Sequence, residues 1–599
     1  MINSSDITLG ELFNKNSFLF HVPNYQRFYV WGEGEIQHFL DDCVFCYQEH
    51  KTGSNYRHYF GQIILRTSDT DRANRTHMEI VDGQQRLTTL TILIACLYRR
   101  LKTMEGENEQ EKNEISDFTT KIFEKYLFSV PQTQGTQDRI LRLSSRDDGI
   151  IDSITDINCK MVEKPPANAL SSVQKIFACY EQIGEFIGNH ADGKPVTEVF
   201  LWFKDFEAAV ASRMQNVLLR QSEPGYCYAL YQIVNDRGIT LTAAELLKAR
   251  TMELLYVNQN LFSDCEAAWN DILSDSGSDT EKYLLKHYQA VMYKSSSKQN
   301  LQEDFETNVF RCFGKRILTT DEQVLLSTQI KKLHQNIKYC RVLSIGDVPA
   351  ELPCCTSIAG LYKNLVMRLK NDTVIPVLLN VLNSSYKINR KAKLFEEVVF
   401  SFTKFFYVAK TISSISAESI ANVYFSIAKT IQERTYIFDN CVTALRAVLN
   451  NKGCQVMFSN WIQGAVYMRS STPKAVFVLY ALELFNDVED YSLNSLRNAG
   501  DDAVTIDINE ISCEHILGQG VQDDTELAER INTLGNLTIM GKQKNSKLGK
   551  KTYLEKKPIY EKSPFALTRQ AGQYDQWTFV EYEIRQAELS DKAIAIFTL

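Results

Sequence analysis

The 599-residue chain is poor in proline (12) and tryptophan (5) and has no apolar run long enough to cross a bilayer. The richest such run, Ala475 to Leu482, is eight residues long and stops at Glu483. The start, MINSSDITLGELFNKN, lacks a basic region followed by an apolar stretch, so a signal peptide is not expected and the reading is a soluble cytoplasmic protein with no membrane partner. Zinc spacing is lacking too. Of 14 cysteines only Cys43 and Cys46 form a CxxC; no second CxxC or paired histidines accompany it, and it follows the helical-looking run Glu35 to Asp42. Core packing is therefore expected there, and at the adjacent Cys354 and Cys355, and the scattered thiols fit a reduced interior better than a disulfide framework. An excess of positive charge is also absent: 66 Lys and Arg against 73 Asp and Glu give −7, which excludes a uniformly basic coat while permitting a local patch. Solenoid repeats and low-complexity tracts are missing.

What is there is ordinary globular usage, 44% apolar and 23% charged, in a length that predicts several domains. Tyr59 to Arg66 and Met78 to Val81 read as short strands, and the run after Gln84 as a helix. The acidic stretch Met104 to Asp117 reads as a solvated loop or frayed helix end. From about 160 to 500 the text is helical, as in Ala243 to Leu255, Thr373 to Leu382 with Pro376 as a local irregularity, Lys393 to Val408, and Pro473 to Phe485. Val504 to Ile511 and Leu534 to Met540 then look like strands. The predicted fold class is α+β multidomain, divided at 1–250, 251–500 and 501–599.

The first constellation is Asp82-Gly83-Gln84-Gln85-Arg86 between a strand and a helix. Gly83 permits a sharp turn that bares backbone N–H groups at the helix start, where the dipole favours an anion. Arg86 offers a fork suited to phosphate, and Asp82 could hold a metal or orient water. The same residues also read as an ordinary capped first turn.

The second is Glu514-His515, then Gly535-Asn536-Leu537, then Lys544-Asn545. A one-metal phosphodiesterase needs a histidine to deprotonate water, oxygen ligands for Mg2+ and a strut that aims the histidine, and this trio supplies such groups in a β-hairpin followed by a helix. Around it, from Gly541 to Lys562, lysines 542, 544, 547, 550, 551, 556, 557 and 562 face only Glu555 and Glu561, a local +6. Lysines can neutralise phosphates, although a charge run is also the usual look of a solvated helix face.

Val22-Pro23-Asn24-Tyr25-Gln26-Arg27-Phe28-Tyr29-Val30-Trp31, Phe60-Gly61 and Asp82 to Arg86, in that order, resemble the amino-terminal domain of GmrSD-type modification-dependent restriction proteins. A further block agrees: Tyr231 to Leu241, containing Asn235, Asp236, Arg237 and Gly238, followed by Glu245-Leu246-Leu247-Lys248. The terminal constellation resembles the family's closing nuclease domain. The resemblance implies a ParB/sulfiredoxin-like α/β domain, a large α-helical middle and a ββα-metal (HNH) nuclease domain. It implies a nucleoside triphosphate site made by Asp82, Gly83, Gln84, Gln85 and Arg86, with Tyr25, Gln26, Arg27, Asn235 and Arg237 as neighbours. Tyr25, Tyr29 and Trp31 read equally as core aromatics. At the other end it implies His515 as general base, Asn536 positioning it, and Glu514 and Asn545 as ligands of Mg2+, to which an asparagine oxygen is better suited than to zinc. Lys542, Lys544, Lys547, Lys550, Lys551, Lys557 and Arg585 would contact DNA. Relatives commonly carry proline where this chain has Gly518, a difference that bears on loop rigidity. The expected function is an antiphage, NTP-dependent endonuclease acting on modified phage DNA, with a second copy of the chain as a further candidate partner. Two other readings stay open: a nucleotide-gated DNA-binding regulator that cuts little, and an RNA-cutting abortive-infection effector.

Overall fold

The computed structural model describes residues 3–13, 18–23, 26, 28–70, 75–129, 138–144, 147–221, 242–274, 279–297, 299–315, 317–468, 472–486, 488, 490–498, 510–518, 525–549 and 551–599. Its strands are β1 (Asn3–Thr8), β2 (Phe18–His21), β3 (His58–Thr70), β4 (Thr76–Asp82), β5 (Phe128–Ser129), β6 (Asp138–Arg139), β7 (Leu141–Arg142), β8 (Met214–Gln221), β9 (Ile511–His515) and β10 (Leu537–Gly541). By packing, the chain divides into two units, Met1–Glu281 with Gln302–His334, and Lys282–Leu301 with Gln335–Leu599.

The first unit is built on a mixed six-stranded sheet in the order β1-β8-β3-β4-β2-β7. The strands expected around residues 59–66 and 78–81 are β3 and β4, an antiparallel pair in which Asp82 lies opposite Ile64. β8, in text that reads as helical, enters beside β3 in parallel register. Its apolar residues alternate: Met214 and Leu218 are buried in the core while Val217 and Leu219 are not fully covered. Gln84–Lys102 is a helix whose residues from Leu87 to Tyr98 are all buried, so it runs through the core rather than along the surface. Its last turn carries Arg99, Arg100 and Lys102, the charges its dipole favours there.

The cysteine pair behaves as expected, since Cys43 and Cys46 are buried in the Glu33–Lys51 helix and burial pushes both thiols up, Cys46 to about 12. The acidic stretch does not. From Glu109 it is a regular helix, Glu109–Ile122, because Asn108 accepts from Glu111 N at its start and Ile115, Thr119 and Ile122 bury one face.

In the second unit the helical reading holds with local corrections. Pro376 disturbs nothing, because it occupies the first turn of the helix Ile375–Asn383, where a missing N–H costs no bond. Lys393 to Val408 is the body of Ile388–Phe406, which ends in a π turn, and Pro473 is the second residue of Thr472–Leu484. Most of the strand expected over Val504 to Ile511 lies outside the described residues; the strand that is described, β9, starts at Ile511. It pairs antiparallel with β10, and the helix Lys542–Leu548 follows without a linker. Leu534–Asn536 is a 3-10 turn leading into β10. This turn packs tightly on the long helix Phe579–Phe597: a Cβ on Gly535 would stand 2.8 Å from Gln586 Cβ and 2.9 Å from the Tyr582 ring. Among the described residues no helix is long and apolar enough to cross a membrane.

Gly535→Ala should lower the unfolding midpoint of the full chain by an amount corresponding to roughly 1–3 kcal/mol, the usual cost of forcing an extra carbon into a close-packed contact. Urea unfolding followed by far-UV circular dichroism measures it, and an unchanged midpoint would show that the turn has room.

Candidate functional site

Two clusters deserve description, one in each unit. At the first, β4 ends at Asp82, Gly83 takes φ +98°, and the helix Gln84–Lys102 begins. That backbone conformation requires glycine, and a side chain there would also crowd Ile63 Cγ1 at 3.3 Å. Gln85 turns back to the 28–30 segment, where its Oε1 accepts from Val30 N (2.9 Å) and its Nε2 donates to Phe28 O (3.1 Å). Gln26 Nε2 donates to Ile80 O (3.1 Å) and Val81 O (2.7 Å) at the end of β4. These two amides sew the first sequence block onto the second.

Arg86 donates to Gln62 O at 2.7 Å and lies 3.2 Å from Asp82 Oδ2. Its guanidinium rests on Gly61, at φ +125°, so closely that a Cβ there would collide with Nη1. The Phe60-Gly61 block thus supplies the flat seat on which the arginine lies. The third block arrives through Lys248, which is 1% exposed, bonds Asn270 Oδ1 at 2.9 Å and stands 5.9 Å from the Phe28 ring. Asp82 and Arg86 are half-buried, whereas Gln84 and Gln85 are buried.

Two buried amides at this end have unpaired atoms among the described residues: Gln84 Oε1, and both side-chain polar atoms of Asn216. Asn216 is in register with Gly61 across β3 and β8 and with Ile7 on β1, so it shares the face of the sheet on which Arg86 lies. Sequence reading missed it, having found no strand there. Tyr29 is core: its hydroxyl lies 2.7 Å from Thr89 Oγ1 and donates to Cys179 Sγ at 3.4 Å. Trp31 packs against the same core. Tyr25, Arg27, Asn235 and Arg237 lie outside the described residues.

At the second cluster Asn536 is fully buried and every polar atom of its amide is used. Oδ1 accepts from Leu517 N (2.8 Å) and Trp577 Nε1 (3.1 Å), and Nδ2 donates to Leu517 O (3.1 Å) and Ile531 O (2.9 Å). Its carbonyl also accepts from Ile516 N at 2.9 Å. Asn536 therefore fixes the two residues after His515. The His515 ring itself meets other groups: Nε2 is 3.1 Å from Asn532 Oδ1, and the Tyr467 ring stands edge-on at 4.7 Å. Burial lowers the His515 pKa; the Asn532 bond opposes that and the Lys556 charge adds to it.

Glu514 turns elsewhere, as strand alternation requires of a neighbour. It is 4% exposed, with Lys556 Nζ at 2.8 Å and the Tyr560 hydroxyl at 2.9 Å from Oε1. Lys556 also donates to His515 O at 2.7 Å. Asn545 Nδ2 donates to Ser512 Oγ and Cys513 O, both at 2.8 Å, which pins the Lys542–Leu548 helix to β9. Among the described residues Glu514 Oε2 and Asn545 Oδ1 have no hydrogen bond, and no group of three or more His, Cys, Asp and Glu gathers as a metal cluster.

The expected DNA-contacting set needs correction. Arg585 is 3% exposed and donates to Gly535 O (2.6 Å) and Leu537 O (2.8 Å); desolvation pushes its pKa down to about 10. Lys557 donates to Gly572 O (3.1 Å) and Tyr574 O (2.7 Å), so it braces a turn. Lys542, Lys544, Lys547 and Lys551 are exposed, while Lys550 lies outside the described residues. Sequence reading missed the roles of Lys556, Tyr560, Asn532 and Tyr467. The first two were findable, because Tyr553, Lys556 and Tyr560 recur at helical spacing on one buried face.

Residues 9–252 match the N-terminal domain of GmrSD restriction endonucleases, and residues 454–592 match their C-terminal domain. No curated protein matches the chain.

Lys556→Met should destabilise the protein by roughly 3–5 kcal/mol, since it strands a buried carboxylate. Adding Glu514→Gln should recover part of that loss. Denaturant unfolding of both variants checks this, and a double variant no more stable than the single one would refute the pairing.

Proposed function

Since the chain belongs to the GmrSD restriction endonuclease family, we propose that it is an antiphage nuclease that recognises modified DNA under nucleoside triphosphate control and cuts it at the β9-β10 hairpin. The observation that carries this reading is His515, a half-buried imidazole at the end of β9, with Asn532 Oδ1 3.1 Å from its Nε2 and the backbone on its C-terminal side locked by Asn536.

In the proposed reaction His515 takes the proton from the water that attacks phosphorus, which requires the unprotonated ring. Asn536 keeps the 516–517 turn from swinging. Glu514 and Asn545 would hold Mg2+: an uncommitted carboxylate oxygen and an uncommitted amide oxygen are hard donors of the kind that ion takes alongside water and phosphate. When bound, Mg2+ supplies Lewis-acid stabilisation of charge on the phosphate and the leaving oxygen. Lys542, Lys544, Lys547 and Lys551, all exposed, neutralise backbone phosphates without reading sequence.

At the other end, the start of the Gln84–Lys102 helix offers its first N–H groups to a triphosphate, Arg86 adds cationic donors, and Asp82 orients water. The unpaired amide atoms of Gln84 and Asn216 are the kind of buried donors and acceptors that a polar ligand satisfies. Gln85 and Gln26 act as braces of this turn, and Tyr25, Arg27, Asn235 and Arg237 complete the nucleotide site in this reading. A second reading has one observation in its favour. The Lys556 ammonium already sits on Glu514, which suits a nucleotide-gated DNA-binding protein whose terminal domain cuts little.

The test is cleavage of glucosylated, methylated and plain DNA, and of RNA, with Mg2+ or EDTA, by wild type and His515→Ala. Modified DNA should be cut by the wild type with Mg2+, and the variant should be slower by about 10²–10⁴. Equal cleavage by both proteins refutes the base, and binding without nicking supports the second reading. For the nucleotide site, Arg86→Ala and Gly61→Ala should both lose triphosphate hydrolysis, because the added methyl evicts the guanidinium from its seat. Unimpaired turnover in Gly61→Ala would show that the seat is unimportant.

A further inference from the structure

Asn536 cannot aim the His515 ring, because its amide is spent on Leu517, Ile531 and Trp577. The ring is instead met by the turn that precedes Asn536. Asn532 Oδ1 lies 3.1 Å from His515 Nε2, and a carboxamide oxygen can only accept. The bond therefore places the ring proton on Nε2 and leaves Nδ1 as the basic nitrogen.

Asn532 is itself held. Its carbonyl accepts from Tyr467 N at 3.0 Å, and the next residue, Thr533, forms a β-bridge with Ala465. Thr533 N donates to Arg530 O at 3.0 Å, closing the turn. The same 465–467 segment brings the Tyr467 ring edge-on to the imidazole, 4.7 Å between centroids at 87°. One short segment thus fixes both the hydrogen-bond acceptor and one wall of the histidine.

We propose that Asn532 is a positioning residue that holds His515 in the Nε2–H tautomer, with Tyr467 restricting rotation of the ring. The catalytic half of this inference rests on the reading of His515 as the base; the tautomer half does not. It divides the labour between two asparagines, Asn536 holding the backbone after the histidine and Asn532 orienting the ring.

The experiment uses the full chain with Asn532→Leu, which removes the acceptor at similar size, and Asn532→Asp, which keeps an oxygen in place. Single-turnover cleavage of modified DNA with Mg2+ gives rate and apparent affinity separately, and 15N NMR of the imidazole, identified by its absence in His515→Ala, reports the tautomer. Expected is a fall in cleavage rate of about tenfold to a hundredfold in the Leu variant, with unchanged DNA affinity. The Asp variant should recover most of it, with Nε2–H dominant in wild type and Asp but not in Leu. An unchanged rate and tautomer in the Leu variant, or a loss confined to affinity, overturns the proposal. If the Leu variant does not fold, the Asp variant decides: a mixed tautomer there overturns the proposal and a retained one supports it. If wild type and His515→Ala cut equally, the nuclease reading fails, and the tautomer comparison alone judges the role of Asn532.

Discussion

A buried amide costs free energy unless its donor and acceptor are both met, and the two clusters of this chain are assembled by that requirement. Gln85 can satisfy its amide only by binding the backbone at Phe28 and Val30, and Gln26 only by reaching the end of β4. Asn536 does the same for Leu517 and Ile531, while the half-buried Asn545 engages its donor alone, on Ser512 and Cys513. Each bond is worth about 0.5–1.5 kcal/mol net, which is modest. Removing one, however, leaves a backbone group without its partner. The amides therefore set geometry more than they add stability, and what they hold in place is the backbone beside Arg86 and His515.

The charged side chains follow a different logic. Arg86 is held by contacts that leave it half-exposed: a carbonyl, a carboxylate and the bare Cα of Gly61. Such an arginine is oriented yet able to bind an anion. Lys556 is the opposite case, enclosed with Glu514 and bonded also to the carbonyl of His515. In a low-dielectric setting the pair is costly to separate and contributes nothing to an exterior field. With Lys556 enclosed and Lys557 engaged by two carbonyls, the exposed lysines of this region are Lys542, Lys544, Lys547, Lys551 and Lys562. The exposed positive charge is smaller than the sequence count and concentrated on the helix that carries Asn545.

Much of this was legible in advance where one physical signal dominated. Strands β3 and β4, the Gly83 turn and the helix opened by Pro473 all carry local instructions: alternation, a left-handed glycine, a first-turn proline. β8 was not legible, because MQNVLLRQ has too short an alternation to compete with the helical text around it. Nor was Arg585, whose burial depends on two carbonyls fifty and forty-eight positions away. Lys557 failed for the same reason, since a charge run says nothing of which members find carbonyls. Asn532 was hidden differently: an asparagine in a turn normally serves its own backbone, and only the folded hairpin brings it to His515.

Glu514 and His515 show why adjacency in sequence misleads. On a strand, neighbours point to opposite faces, so the two side chains take separate hydrogen-bond partners. The carboxylate goes to Lys556 and Tyr560, the ring to Asn532 and Tyr467. What joins them is Lys556, which bonds the carboxylate of one and the carbonyl of the other. The Glu514 carboxylate and the peptide that carries His515 are thereby linked through a single ammonium. The imidazole is therefore fixed from its own backbone, from Asn532 and from the 516–517 turn. These restraints leave the ring little freedom to reorganise, which is the general condition for preorganisation.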